Sequence, residues 1–233
     1  MVSRILLKLS GELLSEKEGF GINPEALSRI TLEIKELHDR GLSIGLVIGG
    51  GNIFRGRSLI KDLKFSPPKA HHMGMVATII NGIALETALN EAGCPALHYS
   101  AFPVGTFSRP YDRDSVLSGL NDHVVIMTGG TGNPYFSTDT AAALRAAETG
   151  AEILVKATKV DGVYDKDPVR YPEAVRYDSI TYEEYLRQHL EVMDLSAVSL
   201  CRDQKIPILV FDFSQRGNLK KVLTGDLPHT VIR

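Results

Sequence analysis

Lysines, hydroxyl side chains and glycines gather at four places along the chain. Lys8-Leu9-Ser10-Gly11 ends one apolar run. Gly49-Gly50-Gly51-Asn52 ends a second, with Arg55 just beyond. Gly129-Gly130-Thr131-Gly132-Asn133-Pro134 ends a third and leads through Tyr135-Phe136 to Ser137-Thr138-Asp139. The segment KATKVDGVYDKDP, Lys156 to Pro168, ends a fourth. Taken singly, each is an ordinary turn, helix cap or solvated loop. Together they describe a polyanion site. Glycine loops and helix starts offer free backbone N–H groups to phosphate, and Lys and Arg add charge-assisted hydrogen bonds. Tyr164, set among Thr158, Asp161 and Asp167, suits the face of a nucleotide base and the hydroxyls of a ribose. The common phosphate fingerprints are missing. There is no GxxxxGKS or GxxxxGKT, Gly49-x-Gly51 is followed by Phe54, and Gly130-x-Gly132 is followed by Tyr135, which excludes a P-loop and a dinucleotide fingerprint.

These clusters need a scaffold that brings strand ends together. Apolar runs at Arg4–Ser10, Ser43–Ile48, Ala96–Tyr99, His123–Thr128, Glu152–Lys156 and Ile208–Phe213 read as strands. Between them lie helical patterns. Asn23 and Pro24 supply a cap and first residue, Leu27, Ile30, Ile34 and Leu37 an apolar face, and Gly41 a stop. Residues 56–73, with Pro67-Pro68, read as loop. Gly74–Ala92 reads as a helix presenting Val76, Ile79, Ile80 and Ile83 on one face. Asp139–Thr149 ends at Gly150, Thr181 starts a helix with capping-box spacing, and Asp194–Lys205 and Asn218–Leu223 follow. Alternating strands and helices with continuously apolar strands predict an α/β fold, a three-layer αβα sandwich around a mostly parallel sheet. No linker or repeat divides the chain, so residues 1–233 read as a single domain. In such sheets ligands bind at the carboxyl ends of the strands, where the polar clusters fall.

Composition narrows the classes. The chain has 233 residues, 43% hydrophobic and 23% charged, with a formal net charge of −2. That is ordinary for a folded globular protein and gives no basic field for nucleic acid. No apolar run approaches the ~20 residues of a membrane span, and Arg4 and Lys8 interrupt the first apolar stretch, unlike a signal peptide. Cys94 and Cys201 fit neither a zinc pattern nor CxxC. A cytoplasmic location is expected.

The motifs carry a further signal. KLSGE (Lys8–Glu12), EGFG (Glu18–Gly21), VIGGGNIFRG (Val47–Gly56), HMGM (His72–Met75), TGNPYFSTD (Thr131–Asp139), KATKVDGVYDKDP and VMDLSA (Val192–Ala197) resemble the bacterial UMP kinases of the amino acid kinase superfamily, in order and over essentially the whole chain. The resemblance implies phosphoryl transfer from ATP to UMP with Mg²⁺, in pyrimidine nucleotide biosynthesis, by a homohexamer activated by GTP and inhibited by UTP. By motif match, Lys8, Leu9, Ser10, Gly11, Gly51 and Arg55 would meet the ATP phosphates, and Thr158, Tyr164 and Asp167 its nucleoside. Gly50, His71 and the run Thr131, Gly132, Asn133, Pro134, Tyr135, Phe136, Ser137 and Thr138 would form the UMP site. Lys8 and Lys156 would neutralise the group in transfer, with Asp139 orienting them. Glu16, Lys17, Glu18, Gly19, Phe20 and Gly21 match the loop tied to GTP regulation. Asp194 stands where some superfamily members carry a second catalytic lysine, and the metal ligands are not identified.

One position departs from the pattern. The family usually has Asp directly before HMGM, facing the UMP ribose, and here it is His71. The glycine clusters alone would also serve a sister kinase acting on a carboxylate or carbamate, or a non-catalytic nucleotide-binding protein. TGNPYFSTD argues against the first, and the retention of Lys8 with Asp139 argues against the second.

Overall fold

Strand β1 (Arg4–Leu9) sends Leu6 to one side and Ile5, Leu7 and Leu9 to the other, and all four are fully buried. A strand apolar on both faces belongs in the middle of a covered sheet. The computed structural model, which describes residues 2–15, 19–54 and 64–233, puts it there. In chain order the other strands are β2 (Ser43–Ile48), β3 (Ala96–Ser100), β4 (Arg109–Pro110), β5 (Val124–Thr128), β6 (Ile153–Thr158), β7 (Val163–Tyr164), β8 (Arg176–Tyr177), β9 (Ser179–Ile180), β10 (Ile208–Asp212) and β11 (His229–Ile232). The main sheet runs β4-β3-β5-β2-β1-β6-β10-β11-β9, and β7 pairs with β8 in a separate ribbon. Every pairing in the main sheet is parallel except β10 with β11.

Helices cover both faces. Ile5, Leu7 and Leu9 pack with α1 (Pro24–His38), α2 (Pro67–Glu91) and the last helix, α7 (Asn218–Thr224). Leu6, Val47, Leu154 and Val210 pack with α3 (Arg113–Gly119), α4 (Thr138–Thr149), α5 (Tyr182–Arg187) and α6 (Leu195–Gln204). The chain moves from β1 to β2 and outward to β3 and β4, returns to β5, and then crosses to the far side of β1 as β6. That reversal makes a crevice at the carboxyl ends of β1, β2 and β6.

The structure corrects the sequence reading of the second helix. It starts at Pro67, not Gly74, with Ser66 as its cap. The two prolines occupy the first turn, where a missing N–H forfeits no helical bond. Val76, Ile80 and Ile83 do not share the buried face with Ile79. They point outward, 49%, 43% and 37% exposed, while Ile79 is buried. By length and hydropathy α2 could cross a membrane, but Ala77, Ile79, Leu85 and Leu89 are buried within the fold.

Candidate active site

Parallel register sets the chemistry of the crevice. Lys8 on β1 lies directly beside Lys156 on β6, with Val47 and Val210 as their outer neighbours. Both lysines share the strand parity of Leu6 and Leu154, so both project toward the α4 face. They are 9% and 5% exposed. Adjacent strands stand ~4.8 Å apart, so two buried ammonium groups at this register need a counter-charge. Asp139 provides it from the first turn of α4. Its Oδ1 lies 2.7 Å from Lys8 Nζ, and its Oδ2 accepts a hydrogen bond from Lys156 Nζ.

The electrostatics follow from that geometry. Burial works to raise the Asp139 pKa, but Lys8 and Lys156 outweigh it and hold the carboxyl below its usual range. Burial and the neighbouring Lys8 pull Lys156 down to about 8, against the opposing attraction of Asp139 and Asp194. Asp139 is shared directly between the two lysines, and Asp194 adds a second, more distant negative charge.

The start of α4 is firmly held. Ser137 Oγ caps the helix by accepting from the N–H groups of Asp139 and Thr140, each at 3.0 Å. Asp194 in turn accepts from Ser137 Oγ, from Thr140 Oγ1 at 3.0 Å, and from Ala197 N at 2.8 Å as the cap of α6. Asp194 therefore fixes the helix start that carries Asp139.

The glycine clusters do converge. A Cβ on Gly11 would lie 2.5 Å from Asn52 Oδ1 and 2.6 Å from the Gly49 carbonyl. A Cβ on Gly50 would lie 2.7 Å from Ala77 Cβ and 2.9 Å from the Gly74 carbonyl on α2. Gly49 also approaches α4, since its Cβ would stand 3.6 Å from Thr138 Oγ1. Side chains at 11 and 50 would push these segments apart. Beside them opens a cavity of about 570 Å³ lined by Gly50, Gly51, His71, Tyr135, Phe136, Ser137 and Thr138 among others. The His71 and Tyr135 rings, both part of its lining, contact each other with centroids 5.4 Å apart and planes tilted by 44°.

Other candidate residues lie further out. Thr131 and Asn133 close a small turn on each other, and residues 131–134 do not line the cavity. Leu9 turns its side chain into the opposite core. Past β6, Thr158 Oγ1 accepts from Val160 N, the Tyr164 hydroxyl donates to Asp161, and Asp167 accepts from Val169 N and pairs with Arg170. Arg55, Glu16, Lys17 and Glu18 lie outside the described residues. Sequence reasoning missed Met75 and Thr78, which also line the cavity. Thr78 Oγ1 accepts from Gly129 N at 2.8 Å, joining α2 to the third glycine cluster. The available signal was a polar residue on the buried side of an apolar helix. Among the described residues no three His, Cys, Asp or Glu side chains form a metal site.

Residues 3–212 match the amino acid kinase family. The uridylate kinase of Alcanivorax borkumensis is 47% identical over 231 residues, covering 99% of this chain and 91% of that relative. The chain belongs to the amino acid kinase family, in its uridylate kinase branch. The uridylate kinase of Legionella pneumophila is 48% identical over 98% of this chain and 93% of its own length. Among solved structures, the UMP kinase of Bacillus anthracis superposes with a TM-score of 0.96 at 33% identity, covering 100% of this chain and 96% of that one. That of Ureaplasma parvum gives 0.94 at 36%, covering 100% and 99%. The family's α/β architecture and mostly parallel sheet are those described above.

Proposed function

We infer that this chain transfers the γ-phosphoryl group of ATP to UMP, giving ADP and UDP for pyrimidine nucleotide synthesis. The observation that carries the reading is the Lys8–Asp139–Lys156 triad. It stands next to Thr138, and Thr138 lines the cavity bounded by the glycine loop and α2. Phosphoryl transfer asks mainly for positioning and charge neutralisation. The bond from the γ-phosphorus to the ADP oxygen breaks as one to a UMP phosphate oxygen forms. UMP's phosphate is already ionised at pH 7, with its second pKa near 6, so no strong general base is required. Lys8 and Lys156 neutralise the oxygens in flight, and Asp139 keeps both lysines aimed.

In this reading Lys8, Leu9, Ser10, Gly11, Gly51 and Arg55 meet the ATP phosphates, Leu9 through its backbone. Thr158, Tyr164 and Asp167 hold the nucleoside. Gly50, His71 and residues 135–138 hold UMP from the cavity lining, and the turn at residues 131–134 flanks it. The lining of the cavity supports Gly50, His71, Tyr135, Phe136, Ser137 and Thr138. Asp139 and Asp194 are already committed to lysines, hydroxyls and a helix cap. Among the described residues there is therefore no ready cage for a divalent ion. Mg²⁺ would arrive on the phosphates of ATP, where it screens their charge.

The finer expectations belong to the same proposal. GTP activation and UTP inhibition would involve residues 16–21. Assembly as a homohexamer is supported by the outward apolar stripe Met73, Val76, Ile80 and Ile83 on α2, beside a groove of about 780 Å³. Buried, unpaired Cys94 and Cys201 suit the cytoplasm. One sheet drawing strands from Arg4 to Ile232 supports a single domain. The test is a coupled ADP-release assay with UMP, CMP, glutamate, aspartate and carbamate as acceptors. Turnover is expected with UMP. Turnover only with a carboxylate or carbamate would overturn the reading.

A further inference from the structure

Asn52 ends the second glycine cluster, and nothing in the proposed chemistry uses it. It is fully buried, and so is Asn81 on α2. Their side-chain amides face each other and exchange two hydrogen bonds. Asn81 Nδ2 donates to Asn52 Oδ1 at 2.7 Å, and Asn52 Nδ2 donates to Asn81 Oδ1 at 3.0 Å. Each amide has one N–H left over. Asn81 gives its second to the Gly49 carbonyl at 2.7 Å, and Asn52 gives its second to the Gly21 carbonyl at 2.8 Å. The Gly21 N–H returns a bond to the Asn52 carbonyl at 2.8 Å. All four amide protons are used, which is full satisfaction for a buried pair.

We propose that the Asn52–Asn81 pair is a positioning clasp that fixes the glycine loop against α2 and so sets the separation of two walls of the UMP cavity. Those walls are Gly50 and Gly51 on one side and His71, Gly74, Met75 and Thr78 on the other. The clasp also ties in two further segments. Gly21 is bonded to it directly, and Gly11 packs where a Cβ would strike Asn52 Oδ1. Only an amide meets the requirement at position 81. The site asks for two donors and one acceptor in one plane, within a pocket closed to water. Asp has the shape but no donors, and would set a carboxylate oxygen against the Gly49 carbonyl and Asn52 Oδ1. Leu has the bulk but leaves both unpaired. The pair does not touch Lys8, Asp139 or Lys156, so its loss acts on how the cavity is held and not on charge neutralisation.

This inference rests on the UMP kinase reading for its kinetic arm only. The experiment compares wild type with Asn81→Asp and with the milder Asn81→Ser, whose hydroxyl is too short to replace the amide's bonds to Gly49 and Asn52. Steady-state kinetics with UMP as the varied substrate are measured beside hydrogen exchange of the Gly21 and Gly49–Asn52 amides. The expected result is a KM for UMP raised about tenfold or more in Asn81→Ser, with kcat within about threefold of wild type. Faster exchange should appear together at Gly21 and at Gly49–Asn52, although these lie far apart in sequence. If Asn81→Asp does not fold, Asn81→Ser carries the test. A lowered melting temperature with unchanged KM for UMP and unchanged exchange at both segments would overturn the clasp. Wild type that fails to turn over UMP would overturn the reading of function instead, while the exchange arm still decides the clasp.

Discussion

Lys156 gives the sharpest quantitative test, because its pKa is drawn down to about 8, within an accessible pH range. The proposed role needs the ammonium form. With a pKa of about 8, roughly nine-tenths of the free enzyme carries that charge at pH 7 and roughly one-tenth at pH 9. The profile of kcat/KM for ATP reports ionisations of the free enzyme, so it should fall about tenfold between these two pH values. The second ionisation of a phosphate monoester lies near 6 and does not contribute to this limb. Lys156→Arg keeps the charge at any accessible pH, so its profile should stay level through pH 9 even at reduced rate. Asp139→Asn should move the limb to lower pH, since Asp139 is one of the groups that holds the Lys156 charge in place.

Stability should run the other way. The folded pKa of Lys156 lies below its ordinary value of 10.5. Between about 8 and 10.5 the unfolded chain therefore holds a proton that the folded chain has released. Unfolding takes up protons there, so this group's contribution to stability rises with pH through the window. Wild type should gain on Lys156→Met, in which the group is absent, by up to about 3 kcal/mol from pH 8 to pH 10.5. A coupled ADP-release assay and chemical denaturation, each run at several pH values, supply both curves. A level wild-type kcat/KM from pH 7 to 9, or the same alkaline limb in Lys156→Arg, would refute the role given to this lysine.

Lys8→Ala should lower kcat by roughly 10²–10³-fold with KM for UMP little changed, because an ammonium aimed at developing charge acts mainly in the transition state; near-normal turnover would remove Lys8 from the mechanism. Gly50→Ala should give a folded protein, by circular dichroism, with KM for UMP raised at least about tenfold. The new Cβ would fall 2.9 Å from the Gly74 carbonyl and force the loop from α2; unaltered kinetics would show that the loop yields without consequence. His71→Ala removes the ring that packs on Tyr135 in the cavity lining and so frees Tyr135 to move; it should weaken UMP binding by calorimetry about three- to tenfold with kcat kept. An unchanged affinity would take His71 out of the site.

Much of the site was legible because its parts announce themselves locally. Glycine runs after apolar strands mark where backbone must come close, and Ser137 two residues before Asp139 marks a helix start. The pairing of Lys8 with Lys156 was not legible from spacing. They are far apart in sequence, and strands apolar on both faces carry no sign of their neighbours. Only the crossing of β6 to the open side of β1 makes them adjacent. The part given to Asp139 was expected from family resemblance. Its physical reason, a buried pair of lysines in register, needed the fold. The short strands β4, β7, β8 and β9 went unread because two residues carry no period.

The misreading of α2 has a cause that bears on function. A helix covering a sheet ordinarily turns its apolar stripe inward and its polar residues out. On α2 the inward side includes Gly74, Thr78, Asn81 and Gly82, and the outward side carries Met73, Val76, Ile80 and Ile83. Each half has its own reason. The inner half rests on the glycine loop and on the Thr128–Gly129 strand end, where bulk would separate the walls. A Cβ on Gly82 would meet His98 Nε2 at 2.5 Å and Thr128 Cγ2 at 2.6 Å. Small residues there permit contact, and Thr78 and Asn81 satisfy backbone groups that an apolar helix would leave unpaired. Among the described residues the outer half stays exposed beside Ile53, Phe54 and Phe65, which suits the contact with another copy proposed above. The same helix would then hold the nucleotide cavity on one side and a subunit contact on the other. Substitutions at Val76 or Ile80 should therefore be read in sedimentation and in KM for UMP together, because α2 is the body through which either change would reach the other.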